Sequence, residues 1–218
     1  MIMMNRTVYA LLWLGLVGYA LLLAPPAAPD TVAQVLAMLR LDTGRADPLA
    51  VAMFNLLGVL PAAFMALILF DSGRLNPWPF AVGAFVLGGF VLLPYLVLRD
   101  PRVPLDDRPG AFAHIIGSRT AGAVLLLLAA GLIAFALIAG SPSAFLAQFQ
   151  GSKFIAVMTA DLLTLTAALH LAAATDRRRR GIRPAGPAAW AVHVPLLGPL
   201  LYLALRSCGK TPGQGRTH

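Results

Sequence analysis

The chain has 218 residues, 59% of them hydrophobic and 12% charged, with a mean hydropathy of +0.78 and a net charge of +8. A soluble domain carries about 25% charged residues, and half that charge cannot cover a globular surface in water. The apolar residues run in long blocks rather than alternating, which argues against a β-barrel and predicts an all-α integral membrane bundle.

Six blocks follow in chain order: Val8 to Ala24, Pro48 to Phe70, Pro79 to Leu98, Thr120 to Gly140, Phe154 to Ala174 and Pro187 to Leu205. Each reads as a transmembrane helix within one membrane domain over 1–206. The first and sixth are the shortest. Pro195 and Pro199 each remove a helical hydrogen bond, so the sixth is the weakest and five spans is the alternative. Between the first two blocks, "PPAAPD" cannot be helical. The following "TVAQVLAMLRL", Thr31 to Leu41, sets Val32, Val35, Leu36 and Leu39 on one face behind Asp30 or Thr31 as a cap. That pattern predicts a short interfacial helix. The stretch 207–218 is polar and glycine-rich and reads as a flexible tail. Its Cys208 is the only cysteine, so no internal disulfide forms. No internal repeat stands out.

Lysines and arginines set the expected orientation. With six spans, the odd loops hold eleven and the even loops and termini six. Loops 25–47, 99–119 and 175–186 are therefore expected in the cytoplasm, with both termini on the other face. Arg6, an apolar run and "LAPPAAPD" also fit a cleaved secretory signal. Cleavage would put the richest basic loops outside, against the charge bias.

Arg177, Arg178, Arg179 and Arg180, with Arg183, close the fifth block. A juxtamembrane cluster of this density attracts anionic headgroups at about 1 kcal/mol per charge. No aromatic residues interleave with it, as a stacking platform for nucleic-acid bases requires. The expected partners are anionic lipids and other membrane proteins.

Within the blocks, Asp161 is the leading candidate, because an ionised carboxylate at membrane depth costs at least about 2.5 kcal/mol. Thr164 shares its helical face. His170, nine residues on, points to the opposite face, with Thr166 beside it. Asn55 and His193 complete the intramembrane polar set, and His114 sits in a loop. No spacing of these residues forms a metal motif, and no phosphate loop or nucleophile elbow appears. No cofactor is predicted; a pigment or haem needs one axial ligand, which His170 or His193 offers. Ala84 and Gly88, Ala130 and Ala134, and Ala136 and Gly140 lie four apart, as close helix packing uses them.

The stretches "LLWLGLVGYALLLAPP", "FNLLGVLP", "PFAVGAFVLGGFVLLPYLVLR", "SKFIAVMTADLL", "DRRRRGI" and "VPLLGPLLYLALR" cover most of the blocks. In these the chain resembles a little-characterised family of multi-spanning membrane proteins of cyanobacteria with plastid relatives. The resemblance implies a photosynthetic host and a plasma or thylakoid membrane location, and carries over no functional residue. Three function classes remain: a non-catalytic accessory or assembly component of a larger membrane complex, a small ion- or proton-coupled transporter or channel using Asp161, and a membrane enzyme acting on a lipid or isoprenoid through Asp161 with His193 or Asn55.

Overall fold

The computed structural model describes residues 2–26, 31–106, 109–182 and 193–206. The chain is 76% helix and has no strand among these residues, in line with the all-α expectation. The helices are α1 (Ile2–Gly18, continued by a wider π turn over Tyr19–Leu23), α2 (Thr31–Leu39), α3 (Pro48–Ile68), α4 (Trp78–Leu87), α5 (Gly89–Leu98), α6 (Ala111–Ile116), α7 (Arg119–Ala139), α8 (Pro142–Gly151), α9 (Lys153–Arg179) and α10 (Leu197–Leu205).

Four helices, α1, α3, α7 and α9, are long and apolar enough to cross a membrane, fewer than the six expected. The third block fails as a span because it breaks at Gly88, which takes φ +53° between α4 and α5. The two halves fold back on each other. Phe80 meets Tyr95 with ring centroids 5.2 Å apart, and a Cβ on Gly83 would lie 3.2 Å from Val91. The result is a re-entrant hairpin, with Gly88 at its tip. In the sixth block, residues 187–192 lie outside the described residues, as do Asp30, Arg183 and the tail. The remainder forms α10, whose nine residues reach only about 13 Å.

Side-chain contacts sort the helix ends into two groups. At one end, the last turn of α3, the ends of α5, α9 and α10 and the starts of α1 and α7 meet. Arg99 and Arg179 both bind Asp71, Arg206 binds Asp176, and Arg119 binds the carbonyl of Leu205. At the other end, Asp47 before α3 takes the amide of Ser141 and its own amide bonds Gln148, while Ser152 before α9 bonds Gln34 of α2. These ends are about 40 Å apart along the 27-residue α9. The described part of loop 25–47 therefore lies opposite the described parts of loops 99–119 and 175–186, not beside them as expected. Arg6 and Arg206 lie with the latter two. The expectation failed because the hairpin makes an even passage where a full span would make an odd one. Of the thirteen described lysines and arginines, ten lie at the first end and only Arg40, Arg45 and Lys153 at the second.

The core is built around α3 and α9, whose Phe64, Leu60, Leu165 and Leu169 are fully buried. α1 and α7 flank it and keep Leu11, Leu14, Leu127 and Ile138 exposed. α2 forms as expected, with Val32, Leu36 and Leu39 turned outward, whereas α8 arises in a stretch that carries no strong sequence pattern.

A repeat that the sequence conceals also emerges. The segments α1-α2-α3-α4/α5 and α7-α8-α9-α10 follow the same course: away from the arginine-rich end, across the far end, back again, and then a short helix returning to it. Tyr-Leu-x-Leu-Arg closes both short helices, at Tyr95–Arg99 and Tyr202–Arg206. A residue with positive φ opens both, Gly88 at +53° and Leu196 at +62°. An arginine near the start of the first long helix of each half binds the carbonyl of the closing arginine, Arg6 to Arg99 and Arg119 to Arg206.

This topology is testable with accessibility reporters. One placed ahead of Asn5 and one inserted after Gly181 should report the same face, and one after Gly44 the opposite face. Opposite signals from the first two would exclude the hairpin.

Candidate functional site

Asp161 sits on α9 about 12 Å from its start and about 22 Å short of Asp176. It is 6% exposed. Its Oδ1 accepts the backbone N–H of Gly89 at 2.8 Å. A helix N-terminus leaves its first N–H groups without partners, and in hydrocarbon no water supplies one. Asp161 supplies it from a neighbouring helix, and its charge also faces the positive end of the α5 dipole. The fit is close: a Cβ on Gly88 would fall 1.7 Å from Asp161 Oδ2, and one on Gly89 2.6 Å from Oδ1. Glycine is required at 88 both for its backbone conformation and for this approach. The Gly88 and Ala84 pair thus serves a turn, not the continuous helix packing expected of it. Trp13 of α1 adds an indole N–H to the carbonyl of Phe90 at 3.1 Å.

The other expected polar residues do not gather around Asp161. Thr164 donates to the carbonyl of Ala160 and Thr166 to that of Leu162, so each bonds its own helix. Asn55 donates to Met38 O and Val51 O near the far end. His170 and His193 do come together, with ring centroids 6.1 Å apart. Among the described residues no three of His, Cys, Asp and Glu lie close enough to hold a metal ion.

Two carboxylates at the arginine-rich end are more heavily engaged. Asp71 binds Arg99 at 3.1 Å, Arg179 at 2.5 Å and the hydroxyl of Tyr95 at 2.9 Å. Asp176 binds Arg180 at 3.0 Å, Arg206 at 2.7 Å and the hydroxyl of Tyr202 at 2.7 Å. Each carboxylate thus holds two guanidiniums and one tyrosine, and both side chains are under a tenth exposed. Burial opposes the charge on Arg99, but Asp71 with Tyr9 and Tyr95 outweighs it and holds its pKa above the ordinary guanidinium value. Arg206 also bonds the carbonyl of Ala66 in the last turn of α3, and it stacks with Arg180 on Phe70. Four helix C-termini converge here, and cations complement their negative dipole ends.

Of the arginines 177–180 expected at lipid headgroups, Arg179 and Arg180 are therefore committed to internal ion pairs. Sequence reasoning passed over Asp71, Asp176, Arg99 and Arg206. The signal was present: Asp176 and Arg180 are four apart on α9, as are the Tyr and Arg of each Tyr-Leu-x-Leu-Arg stretch.

No family model, curated protein sequence or solved structure matches this chain. Its function must be argued from these contacts.

Gly88→Ala should destabilise the folded protein by about 3 kcal/mol, from a strained backbone and overpacking against Asp161. Asp176→Asn strands two buried guanidiniums and should cost about 3–5 kcal/mol, whereas Arg177→Gln should stay within about 0.5 kcal/mol. Unfolding of the purified variants in detergent measures all three.

Proposed function

We propose that the chain is a non-catalytic integral membrane protein, an accessory or assembly component of a larger membrane complex. The carrying observation is the engagement of Asp161. Among the described residues it is the one carboxylate away from both ends of the bundle, and its task is to cap the hairpin. Thr159, Thr164 and Thr166 are likewise spent on their own helix. A membrane enzyme needs an acid, base or nucleophile aimed at a substrate space, and these groups are occupied by the fold. The apolar outer faces of α1 and α7 suit contact with lipid and with other spans. The crowding of ten lysines and arginines at one end supports a cytoplasmic or stromal position for that end, with anionic headgroups around it. The resemblance to a cyanobacterial and plastid family favours a photosynthetic membrane.

One observation favours a second reading, ion- or proton-coupled transport. The hairpin points a half-helix N-terminus at an ionisable group deep in the bundle, and the two halves repeat in parallel, as in some transporters.

Asp161 separates the two. If it is a cap, Asp161→Asn keeps the acceptor for Gly89 and should leave yield, stability and recovered complex within about 1 kcal/mol of wild type. Asp161→Leu leaves a buried N–H unpaired and should cost about 1–3 kcal/mol. If it handles ions, both substitutions should abolish function while folded protein still accumulates. A mild-detergent purification of the tagged chain, with co-purifying spans identified by mass spectrometry, gives the readout. Loss of the complex with Asp161→Asn at full stability would overturn the accessory reading.

A further inference from the structure

The two repeated halves are not equivalent at the arginine-rich end. In the second half, Arg119 uses both Nε and Nη2, on the carbonyls of Arg206 and Leu205. Behind it α7 closes on α10, and a Cβ on Gly122 would lie 2.5 Å from the backbone of Leu203. In the first half, Arg6 uses Nη2 on the carbonyl of Arg99 at 2.7 Å, and its Nε is buried without a partner. Where the second half has Gly122, the first has Tyr9. Tyr9 is 3% exposed, and its hydroxyl also lacks a hydrogen bond. It lies beside the Arg99 guanidinium and feels its charge, though no hydrogen bond of good geometry joins them.

Arg6 and Tyr9 are among the residues that line a cavity of about 180 Å³ between the start of α1 and the ends of α5 and α9. A water occupies about 30 Å³ of liquid, so the space is larger than one or two ordered waters would need. Arg6, Arg99, Arg178 and Arg179 line it together with Asn5 and Tyr9. Among the described residues no carboxylate lines it, and the nearby Asp71 is already shared by Arg99 and Arg179. Leu96 and Pro101 supply apolar wall.

We infer that this cavity is a binding site for a phosphate group carrying net negative charge. Guanidiniums gathered around one space repel one another, and an anion with several acceptor oxygens offsets their charge together. Guanidinium groups match phosphate oxygens in geometry as well as charge. The apolar wall at the mouth of α1 suits the ester side of an anionic phospholipid, and a soluble phosphate offers the same oxygens. A phosphatidylcholine headgroup suits it less, because its ammonium would meet the lining arginines. The inference deepens the headgroup contact proposed above and rests on that reading, but the two fail separately. Arg177→Gln probes diffuse surface attraction, whereas Arg6→Gln and Tyr9→Phe probe the cavity.

The test uses the full chain in a neutral detergent, titrated with short-chain phosphatidylglycerol, short-chain phosphatidylcholine or inorganic phosphate. Phosphatidylglycerol should bind at least about tenfold more tightly than phosphatidylcholine. Arg6→Gln should weaken it about tenfold or more and Tyr9→Phe severalfold, with Arg177→Gln unchanged. Tyr9→Phe leaves every ion pair and nearly all packing in place, so it reports on the site even if Arg6→Gln folds poorly. Equal binding of inorganic phosphate with the same dependence on Arg6 and Tyr9 supports the site and makes a soluble phosphate its source. Absence of anion binding, wild-type affinity in Tyr9→Phe, or an equal loss in Arg177→Gln would overturn it.

Discussion

The contact between Asp161 and the amide of Gly89 is the condition on which the rest of the architecture depends. A helix that stops inside an apolar bundle exposes N–H groups where no water can meet them, and each one left unpaired costs several kcal/mol. A carboxylate from the adjacent helix removes that cost and favours the dipole of the half-helix behind it. Once the break at Gly88 is tolerated, the chain turns back. α5 then returns to the end it came from, which brings Arg99 onto Asp71 and moves every later segment to the face opposite the one that six spans would give.

That reversal explains why the arginines crowd at one end. The C-termini of α3, α5, α9 and α10 all arrive there, each with unpaired carbonyls and a negative dipole end. Arg6, Arg119 and Arg206 bond carbonyls at the ends of α5, α10 and α3. Arg99, Arg179, Arg180 and Arg206 are drawn into the bundle by two aspartates. A buried pair of this kind gives little net stability compared with apolar packing, but loss of one member is costly, so its main effect is to fix which ends meet. These arginines thus lock the bundle from within.

Parallel repetition gives the fold its economy, and departure from it gives the fold its asymmetry. Both halves close a short helix with Tyr-Leu-x-Leu-Arg and fasten it to an aspartate in the last turn or just beyond the end of the preceding long helix. In the second half a glycine lets α7 and α10 meet. In the first a tyrosine stands at the matching position, and a cavity lies beside it.

The sequence by itself determined the class. Long apolar blocks and sparse charge specify a helical membrane bundle whatever the packing, because hydropathy and helix length act locally. It also singled out Asp161 correctly as a buried interior group, since the cost of a carboxylate in hydrocarbon depends on depth alone. The helix α2 was legible for the same reason, through its one-sided apolar pattern. What only the tertiary structure decided was partnership. A Gly-Gly pair in an apolar run looks like helix packing until a carboxylate from a distant stretch meets it. Asp71 and Asp176 look like loop charges until helix ends bring guanidiniums to them. The side on which each loop lies depends on whether a block crosses or turns back, and that was settled by one hydrogen bond between residues far apart in the chain, which no local pattern encodes.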